Sequence, residues 1–316
     1  MKKFLHAEMW DKMQYLFRNY YDRMMHCTLY YDGTIDKENF KKALKFQIDN
    51  VPVLHSRYHN NFIKPYWVVQ DYTIDDVITI KQSKNLEFDV NKFLTQQIDI
   101  KNNVQIQVAL FECEGKTALC MVSNHMCMDG GDFKYFLATL CKNYTKLCLN
   151  NQNMEIKHGS RSYEVVYSGL SDEDKKIAGT LFKNVSQTKD KHRFPLTAKS
   201  PDDTNRIVKH ILPKEKFEVM RLAGKAKGHT VNDIMLACYF QSLFELAGYE
   251  KDATVTIPCM IDLRRHMKDG GAESGLTNHT GFMTCTIHGI GATVAETLLK
   301  VEESIKDEKA DKFIGL

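Results

Sequence analysis

Hydrophobic and polar residues follow two different periods along this chain, and each period predicts a different kind of element. Residues 104–110 place a large apolar side chain at every second position, which predicts a half-buried strand. Residues 118–122 are all apolar, which is typical of a central strand buried on both faces. Residues 132–149 repeat apolar side chains at helical spacing, which predicts a long amphipathic helix.

The same patterns predict further elements on both sides of this segment, and the mixture of strands and helices predicts an α/β or α+β fold. We place an N-terminal domain at 1–160, a crossover or linker at 161–202 and a C-terminal domain at 203–316. The other predicted strands are 25–31, 66–69, 161–167, 205–212, 254–257 and 282–287. The other predicted helices are 36–49, 89–98, 213–227, 231–247 and 292–307.

Composition excludes several classes of protein without changing this fold class. The 316 residues include 43 Lys and Arg against 40 Asp and Glu, and this balance argues against a nucleic-acid partner. Nine cysteines without a paired framework indicate reduced thiols. The sequence lacks a secretory signal and any apolar run near the ~20 residues that span a bilayer. We therefore expect a cytoplasmic protein without a membrane span.

The strongest candidate for chemistry lies between the buried strand at 118–122 and the long helix that follows. His125 can accept a proton near neutral pH, and Asp129 can fold back to brace the loop. Gly130 and Gly131 allow close backbone approach, and the Gly130 N–H can stabilise a developing oxyanion. The same pattern also fits a core histidine followed by a tight turn, so both interpretations stay open here.

Other cysteines and histidines are weaker candidates. Cys127 lies two residues from His125, but side chains at that spacing need not meet, so a nucleophilic thiolate is only a minor alternative. His55 and His59 have metal-like spacing without a third ligand nearby, so we expect no metal site. The sequence does not identify cofactor-binding residues.

Four blocks of sequence together resemble one known superfamily. Residues 124–131 contain His-x-x-x-Asp-Gly, and residues 51–58, 230–237 and 257–265 form three further blocks in the expected order. They resemble the CoA-dependent acyltransferase superfamily, which includes chloramphenicol acetyltransferase, alcohol acyltransferases and the condensation domains of nonribosomal peptide synthetases. Residues 276–278 also lie where that family often has Gly-Asn before a strand. Many members carry a second histidine where this chain has Asn124, and several branches lack it.

The resemblance implies a two-domain, chloramphenicol acetyltransferase-like pseudo-dimer with mixed β-sheets flanked by helices. In this superfamily the last predicted helix is normally followed by roughly a hundred more residues, a further small domain's worth. The resemblance therefore implies that the second domain is incomplete. We expect an unpaired sheet edge or exposed apolar surface there.

The resemblance also implies roles for individual residues. His125 would be the general base that activates an acceptor for direct attack on a thioester, and Gly130 would stabilise the oxyanion. Asp129 would be structural, paired with Arg264 as the first choice or Arg265 as the second. Asn124 and Gly131 would support the same loop.

Three functions remain open at this point. The first choice is acyl transfer from a CoA thioester to a small alcohol or amine. The second is condensation-type amide or ester formation from a thioester on an acyl or peptidyl carrier protein. In both, acyl-CoA or a phosphopantetheine thioester is a co-substrate, and no permanently bound cofactor is expected. The third is a non-catalytic binding protein on the same scaffold, which Asn124 motivates.

Overall fold

The computed structural model describes residues 3–61, 63–181 and 207–316, and these residues form two compact units. The domain limits 1–160 and 203–316 stay predictions, and the linker predicted at 161–202 lies outside the described residues from 182 onward. The first unit comprises 3–61, 63–169, 207 and 267–279. The second comprises 170–181, 208–266 and 280–316.

The first unit contains the strand–turn–helix segment predicted from the periodicity, with boundaries close to the predicted ones. The short elements β1, α1, β3 and β5 have no strong period and are not predicted. The strands are β1 (Phe4–His6), β2 (Met24–Asp32), β3 (Ser56–His59), β4 (Tyr66–Val69), β5 (Ile78–Gln82), β6 (Ile106–Cys113) and β7 (Lys116–Asn124). The helices are α1 (Met9–Leu16), α2 (Lys37–Asp49), α3 (Leu86–Leu94) and α4 (Gly130–Cys148).

Strand β7 lies inside a four-stranded mixed sheet of order β2-β7-β6-β5. It is antiparallel to both neighbours, and β5 joins β6 in parallel. On one face of β7, Leu119 and Met121 pack in a core with α2 and α4. On the other face, Cys120 and Val122 pack in a core with α3. The prediction of a central strand buried on both faces is confirmed, and the residue after β7 is anchored to a rigid element.

The second unit places two helices against a two-stranded sheet. Phe240 of the first helix and Val301 of the second are fully buried in a core with Cys285 of the sheet. The helices predicted at 213–227, 231–247 and 292–307 are confirmed. The second unit contains α5 (Asp172–Leu181), α6 (Lys214–Ala226), α7 (Val231–Ala247), β8 (Thr254–Asp262), β9 (Thr280–His288) and α8 (Val294–Ala310).

Two predicted strands are wrong. Residues 207–212 have no regular structure, and 205–206 lie outside the described residues. Val208 is 83% and Ile211 70% exposed, because an apolar pattern forms a strand only where a partner strand completes the hydrogen bonds. The strand predicted at 161–167 is replaced by a 3₁₀ helix at Tyr163–Gly169. The Ser162 hydroxyl accepts the backbone N–H of Glu164, a local bond that favours a turn over a strand.

Apolar side chains are exposed on the second unit, as the sequence led us to expect. In the part of the chain that is described, β8 and β9 pair only with each other, so each has an outer edge. Met260 is 60% and Phe282 43% exposed on these strands. The incompleteness of the second domain stays a prediction. No helix of the described residues is long and apolar enough to cross a membrane.

Candidate active site

His125 occupies the first position after β7. Its backbone N–H donates to the carbonyl of Arg23 at 2.8 Å, which ties the loop to the residue preceding β2. The residue is half-buried, whereas Asn124 and Met126 on either side are fully buried. The loop is therefore fixed by its neighbours, while His125 itself is partly exposed.

Asn278 determines which nitrogen of His125 carries the proton. Its side-chain Nδ2 donates to the carbonyls of His125 at 2.8 Å and Met126 at 3.3 Å, which fixes the orientation of the amide. Its Oδ1 then lies 3.1 Å from Nδ1 of His125 and can only accept. Nδ1 must carry the hydrogen, so Nε2 holds the free lone pair, as a proton acceptor requires.

Asn124, which replaces the first histidine of many superfamily members, bonds within the loop and to β6. Its Nδ2 donates to Oε1 of Gln105 at 3.0 Å, and its Oδ1 accepts the backbone N–H of Met126 at 3.1 Å. Its backbone carbonyl accepts the N–H of Cys127 at 2.9 Å. All these partners are buried, so the bonds are shielded from water and define the path of the loop.

Asp129 joins the start of α4 to the segment that carries Asn278. It is the N-cap residue, and its Oδ1 accepts the backbone N–H of Asp132 at 2.9 Å. Its Oδ2 accepts the backbone N–H of His279 at 3.0 Å. The side chain of Asp132 accepts the N–H of Thr277 at 2.9 Å. Two carboxylates thus hold residues 277–279 against the helix, which places Asn278 beside His125.

Gly130 and Gly131 form the first turn of α4 and are exposed. The first N–H groups of a helix have no partner within the helix and lie at the positive end of its dipole. A Cβ on Gly130 would meet no atom within 4 Å. The position therefore combines a polarised N–H group with open space, which suits a developing negative charge on a substrate.

Arg264 and Arg265, the predicted partners of Asp129, follow β8 in the second unit. Arg264 Nη1 lies 3.1 Å from Oδ1 of Asp262, which also accepts the Arg264 backbone N–H at 3.0 Å. Arg265 is exposed. The pairing of either arginine with Asp129 stays a prediction.

Cys127 is a poor nucleophile. Its side chain is fully buried, and its Sγ lies 3.8 Å from the carbonyl oxygen of Val53. Burial raises the pKa of the Cys127 thiol, so the thiolate is disfavoured. Within the described residues, no group of three or more His, Cys, Asp or Glu side chains could hold a metal ion.

Sequence reasoning found the loop but not the residues that orient it. Asn278 is 153 positions from His125, so no local spacing connects them. The only signal was the position of 276–278 in a block that resembles the superfamily. The role of Asp132 had no sequence signal at all.

Comparisons with known proteins place the chain in a family and identify solved structures with a similar fold. A profile of the condensation domain family matches residues 10–284. No curated protein sequence matches the chain. The first condensation domain of the CDA synthetase matches with a TM-score of 0.67 at 14% identity, covering 98% of this chain and 76% of that one. Polyketide synthase associated protein 5 from Mycobacterium tuberculosis matches with a TM-score of 0.68 at 14% identity, covering 98% and 74%.

A third similar structure describes condensation domain-mediated chain release from the enacyloxin polyketide synthase. Its TM-score is 0.61 at 13% identity, and the match covers 95% of this chain and 60% of that one. These structures share the chloramphenicol acetyltransferase-like fold predicted from the sequence. The family match favours the condensation-type alternative over transfer from a CoA thioester, our first choice from the sequence.

Proposed function

We propose that this chain, which belongs to the condensation domain family, transfers an acyl group from a carrier-protein thioester to an amine or alcohol. Condensation domains are members of the superfamily that the sequence resembles. Family membership supports a transferase that forms amide or ester bonds. The donor, the acceptor and the roles of individual residues are our proposal.

The bond between His125 and Asn278 is the observation that carries this proposal. With Nδ1 held by the amide at 3.1 Å, Nε2 takes the proton from the acceptor nitrogen or oxygen as that atom attacks the thioester carbonyl. The new C–N or C–O bond forms, the C–S bond breaks, and Nε2 returns the proton to the departing thiolate. No acyl-enzyme is needed, and a positioned base contributes ~10²–10⁴-fold to the rate.

The start of α4 supports the same reaction. Attack on the carbonyl creates a tetrahedral intermediate with a negative oxygen, and the Gly130 N–H is our candidate donor to that oxygen. Asp129 would act as a positioning residue, because it holds the backbone of His279 and the helix start together. We retain Arg264 as its proposed ionic partner.

The proposal is tested by measuring release of free thiol. One acyl group is presented as a phosphopantetheinyl thioester on a carrier protein and, separately, on CoA, with a panel of amines and alcohols. His125→Ala should lower the rate by at least ~10²-fold. His59→Ala is the matched control, because His59 is an exposed histidine that stacks on Tyr66.

The two acyl donors distinguish the two enzymatic hypotheses. Faster turnover with the carrier protein supports condensation-type transfer, whereas turnover with CoA alone supports transfer from a CoA thioester, the first choice from the sequence. If His125→Ala reacts as fast as the wild type, His125 is not the base. If no donor and acceptor pair releases thiol, the non-catalytic alternative gains support.

A further inference from the structure

The first unit contains a cavity of about 640 Å³ that the proposed reaction does not use. Its volume lies within the range of small-molecule pockets, ~300–1,000 Å³. Neither His125 nor the start of α4 lines it. Strand β1 with its flanks and three further segments form the wall, at residues 3–6, 8, 49–53, 157–162 and 275–276.

Arg161 on this wall has two hydrogen-bond donor nitrogens without a partner within the described part of the chain. Its Nη2 donates to Oδ1 of Asp11 at 3.0 Å. Its Nε and Nη1 are buried and have no hydrogen-bond partner in the described residues. A buried donor without an acceptor costs ~1–3 kcal/mol. Both nitrogens are shielded from solvent, so an anion in the cavity would relieve this cost only through a local shift of the Arg161 side chain.

The cationic side chains on the cavity wall, Lys3, Lys157 and Arg161, outnumber the two carboxylates. Lys3, His6 and His158 are exposed lining residues whose side chains have no hydrogen-bond or ionic partner among the residues described. The two carboxylates on the wall are already engaged. Glu8 accepts the backbone N–H of Tyr163 at 3.1 Å, and Asp49 is bonded by Lys45 at 2.8 Å and by Tyr72 at 2.6 Å. The cavity wall therefore carries hydrogen-bond donors and a slight excess of positive charge.

Hydrogen bonds connect the wall of the cavity to the segment that positions Asn278 beside His125. Lys157 lines the cavity, and its Nζ lies 2.6 Å from Oδ1 of Asp132. Oδ2 of Asp132 accepts the backbone N–H of Thr277, the neighbour of Asn278. In addition, Gly275 N–H donates to the carbonyl of Ser160 at 2.8 Å. A displacement of the loop 157–162 would therefore be transmitted to residues 275–278.

We propose that this cavity binds a small ligand bearing a carboxylate or phosphoryl group through Arg161, and that binding shifts Asn278 relative to His125. A guanidinium binds both kinds of oxyanion in the same forked geometry. Binding itself does not depend on the proposed function. The consequence for catalysis rests on that function. The test therefore measures ligand binding and the NMR signal of the His125 ring, and it needs no activity assay.

Binding is measured with inorganic pyrophosphate and, separately, with succinate, by calorimetry and tryptophan fluorescence. Trp67 is a built-in reporter, because its Nε1 donates to the Asp11 carboxylate that pairs with Arg161, at 2.8 Å. The wild type should saturate with at least one anion below ~10 mM, and the better anion identifies the phosphoryl or carboxylate class. Absence of saturation with both anions overturns the proposal.

Variants locate the binding. The double variant Lys3→Gln/His158→Gln should weaken binding by at least ~10-fold, and Arg161→Lys should do so while keeping a positive charge beside Asp11. Lys42→Gln is the control, because Lys42 is exposed on α2 and does not line the cavity. If the double variant binds like the wild type, the anion binds elsewhere and the proposal fails, even if Arg161→Lys does not fold.

The link to His125 is read from the ring signals of ¹³C-labelled histidine, with the His125 signal assigned by its loss in His125→Gln. Pyrophosphate or succinate, whichever binds, should shift this signal in the wild type at saturation but not in the double variant. Saturable binding with an unchanged His125 signal overturns the link and leaves the proposed function untouched.

Discussion

The starts of α4 and α7, one in each unit, are built from similar parts but are held in different ways. Before α4, Nδ1 of His125 bonds the neutral amide of Asn278. Before α7, Nδ1 of His229 bonds the carboxylate of Glu302 on α8. A carboxylate favours the charged imidazolium, whereas an amide fixes the ring without favouring the charge. The first arrangement suits a base that must gain and lose a proton, and the second ties the start of α7 to α8.

The carboxylates of the two helix starts extend the contrast. Asp129 accepts backbone N–H groups from Asp132 and His279. Asp233 on α7 accepts from the Lys309 ammonium of α8 and from Thr230. Burial opposes ionisation of Asp233, but these donors prevail and lower its pKa. The second helix start is therefore held by the Asp233–Lys309 ion pair, which joins α7 to α8 and has a structural role.

The largest expected effect comes from removing one N–H group at the first helix start. Gly130→Pro deletes the proposed oxyanion donor, and proline is well tolerated at the first position of a helix. Asp129 already has the extended backbone that precedes a proline, with φ −88° and ψ 177°. We expect the rate of thiol release to fall by ~10²–10³-fold with α4 intact by circular dichroism.

Two controls sharpen this prediction. Gly130→Ala retains the N–H and has space for its Cβ, so its rate should stay within ~3-fold of the wild type. Val231→Pro makes the same change at the first position of α7 and should leave the rate unchanged. A Gly130→Pro variant that reacts as fast as Gly130→Ala would remove Gly130 from the mechanism.

The next effect is on the free energy of unfolding, which should differ between variants of the two N-cap residues, Asp129 and Thr230. Asp129→Ala removes a cap and leaves the buried N–H of His279 without its acceptor, so we expect the free energy of unfolding to fall by about 2–4 kcal/mol. Thr230→Ala removes only the cap of α7 and should cost about 1 kcal/mol. Urea denaturation measures both, and equal losses would mean that the bond to His279 adds nothing.

A smaller effect, dependent on pH, tests the ion pair of the second helix start. Lys309→Met leaves the buried Asp233 carboxylate without its ammonium partner and should cost about 1–3 kcal/mol at pH 7. Because the folded-state pKa of Asp233 is lowered, its contribution is present above the unfolded value of about 3.9 and is lost as the pH falls through the folded value. The difference from the wild type should therefore shrink towards pH 3.

The control for this measurement is Lys306→Met, which removes an exposed lysine of the same helix. Its effect should stay within ~0.5 kcal/mol at both pH values. A Lys309→Met difference that is as large at pH 3 as at pH 7 would show that lost packing, rather than the ion pair, accounts for the change.

The smallest expected effect comes from giving His125 a carboxylate neighbour like the one that His229 has in Glu302. Asn278→Asp places a carboxylate beside His125, which favours the protonated ring and removes base at neutral pH. We expect the transfer rate at pH 7 to fall by about 10-fold and to recover as the pH rises. The mirror change, Glu302→Gln, should leave the rate unchanged. Identical pH–rate profiles for Asn278→Asp and the wild type would contradict this role for Asn278.

Features formed by residues close together in the sequence could be predicted, whereas features formed by residues far apart in the sequence could not. The buried strand, the loop at His125 and the helix α4 lie within about 30 consecutive residues, so their periodicity and glycines are visible locally. The amide of Asn278 acts across 153 positions, and only the folded chain brings it to the ring. Local patterns therefore found the candidate base but not the group that sets its tautomer.

The wrong predictions have the same cause. Residues 205–212 have apolar side chains at strand-like positions, yet a strand also needs a partner, and none pairs with 207–212 in the described part of the chain. Conversely, β1 and β3 are only three and four residues long, too short for a period, and pairing with β4 makes them strands. Register and partners are properties of the whole fold.

The most direct test of the central claim is the tautomer of His125 in the wild-type protein. Long-range ¹H–¹⁵N spectra of ¹⁵N-labelled histidine distinguish the two ring nitrogens, and His125→Gln identifies the signals. The bond to Asn278 predicts that, at a pH where the ring is neutral, Nδ1 carries the hydrogen and Nε2 has the shift of an unprotonated nitrogen. A neutral ring with its hydrogen on Nε2 would contradict the assignment of His125 as the base.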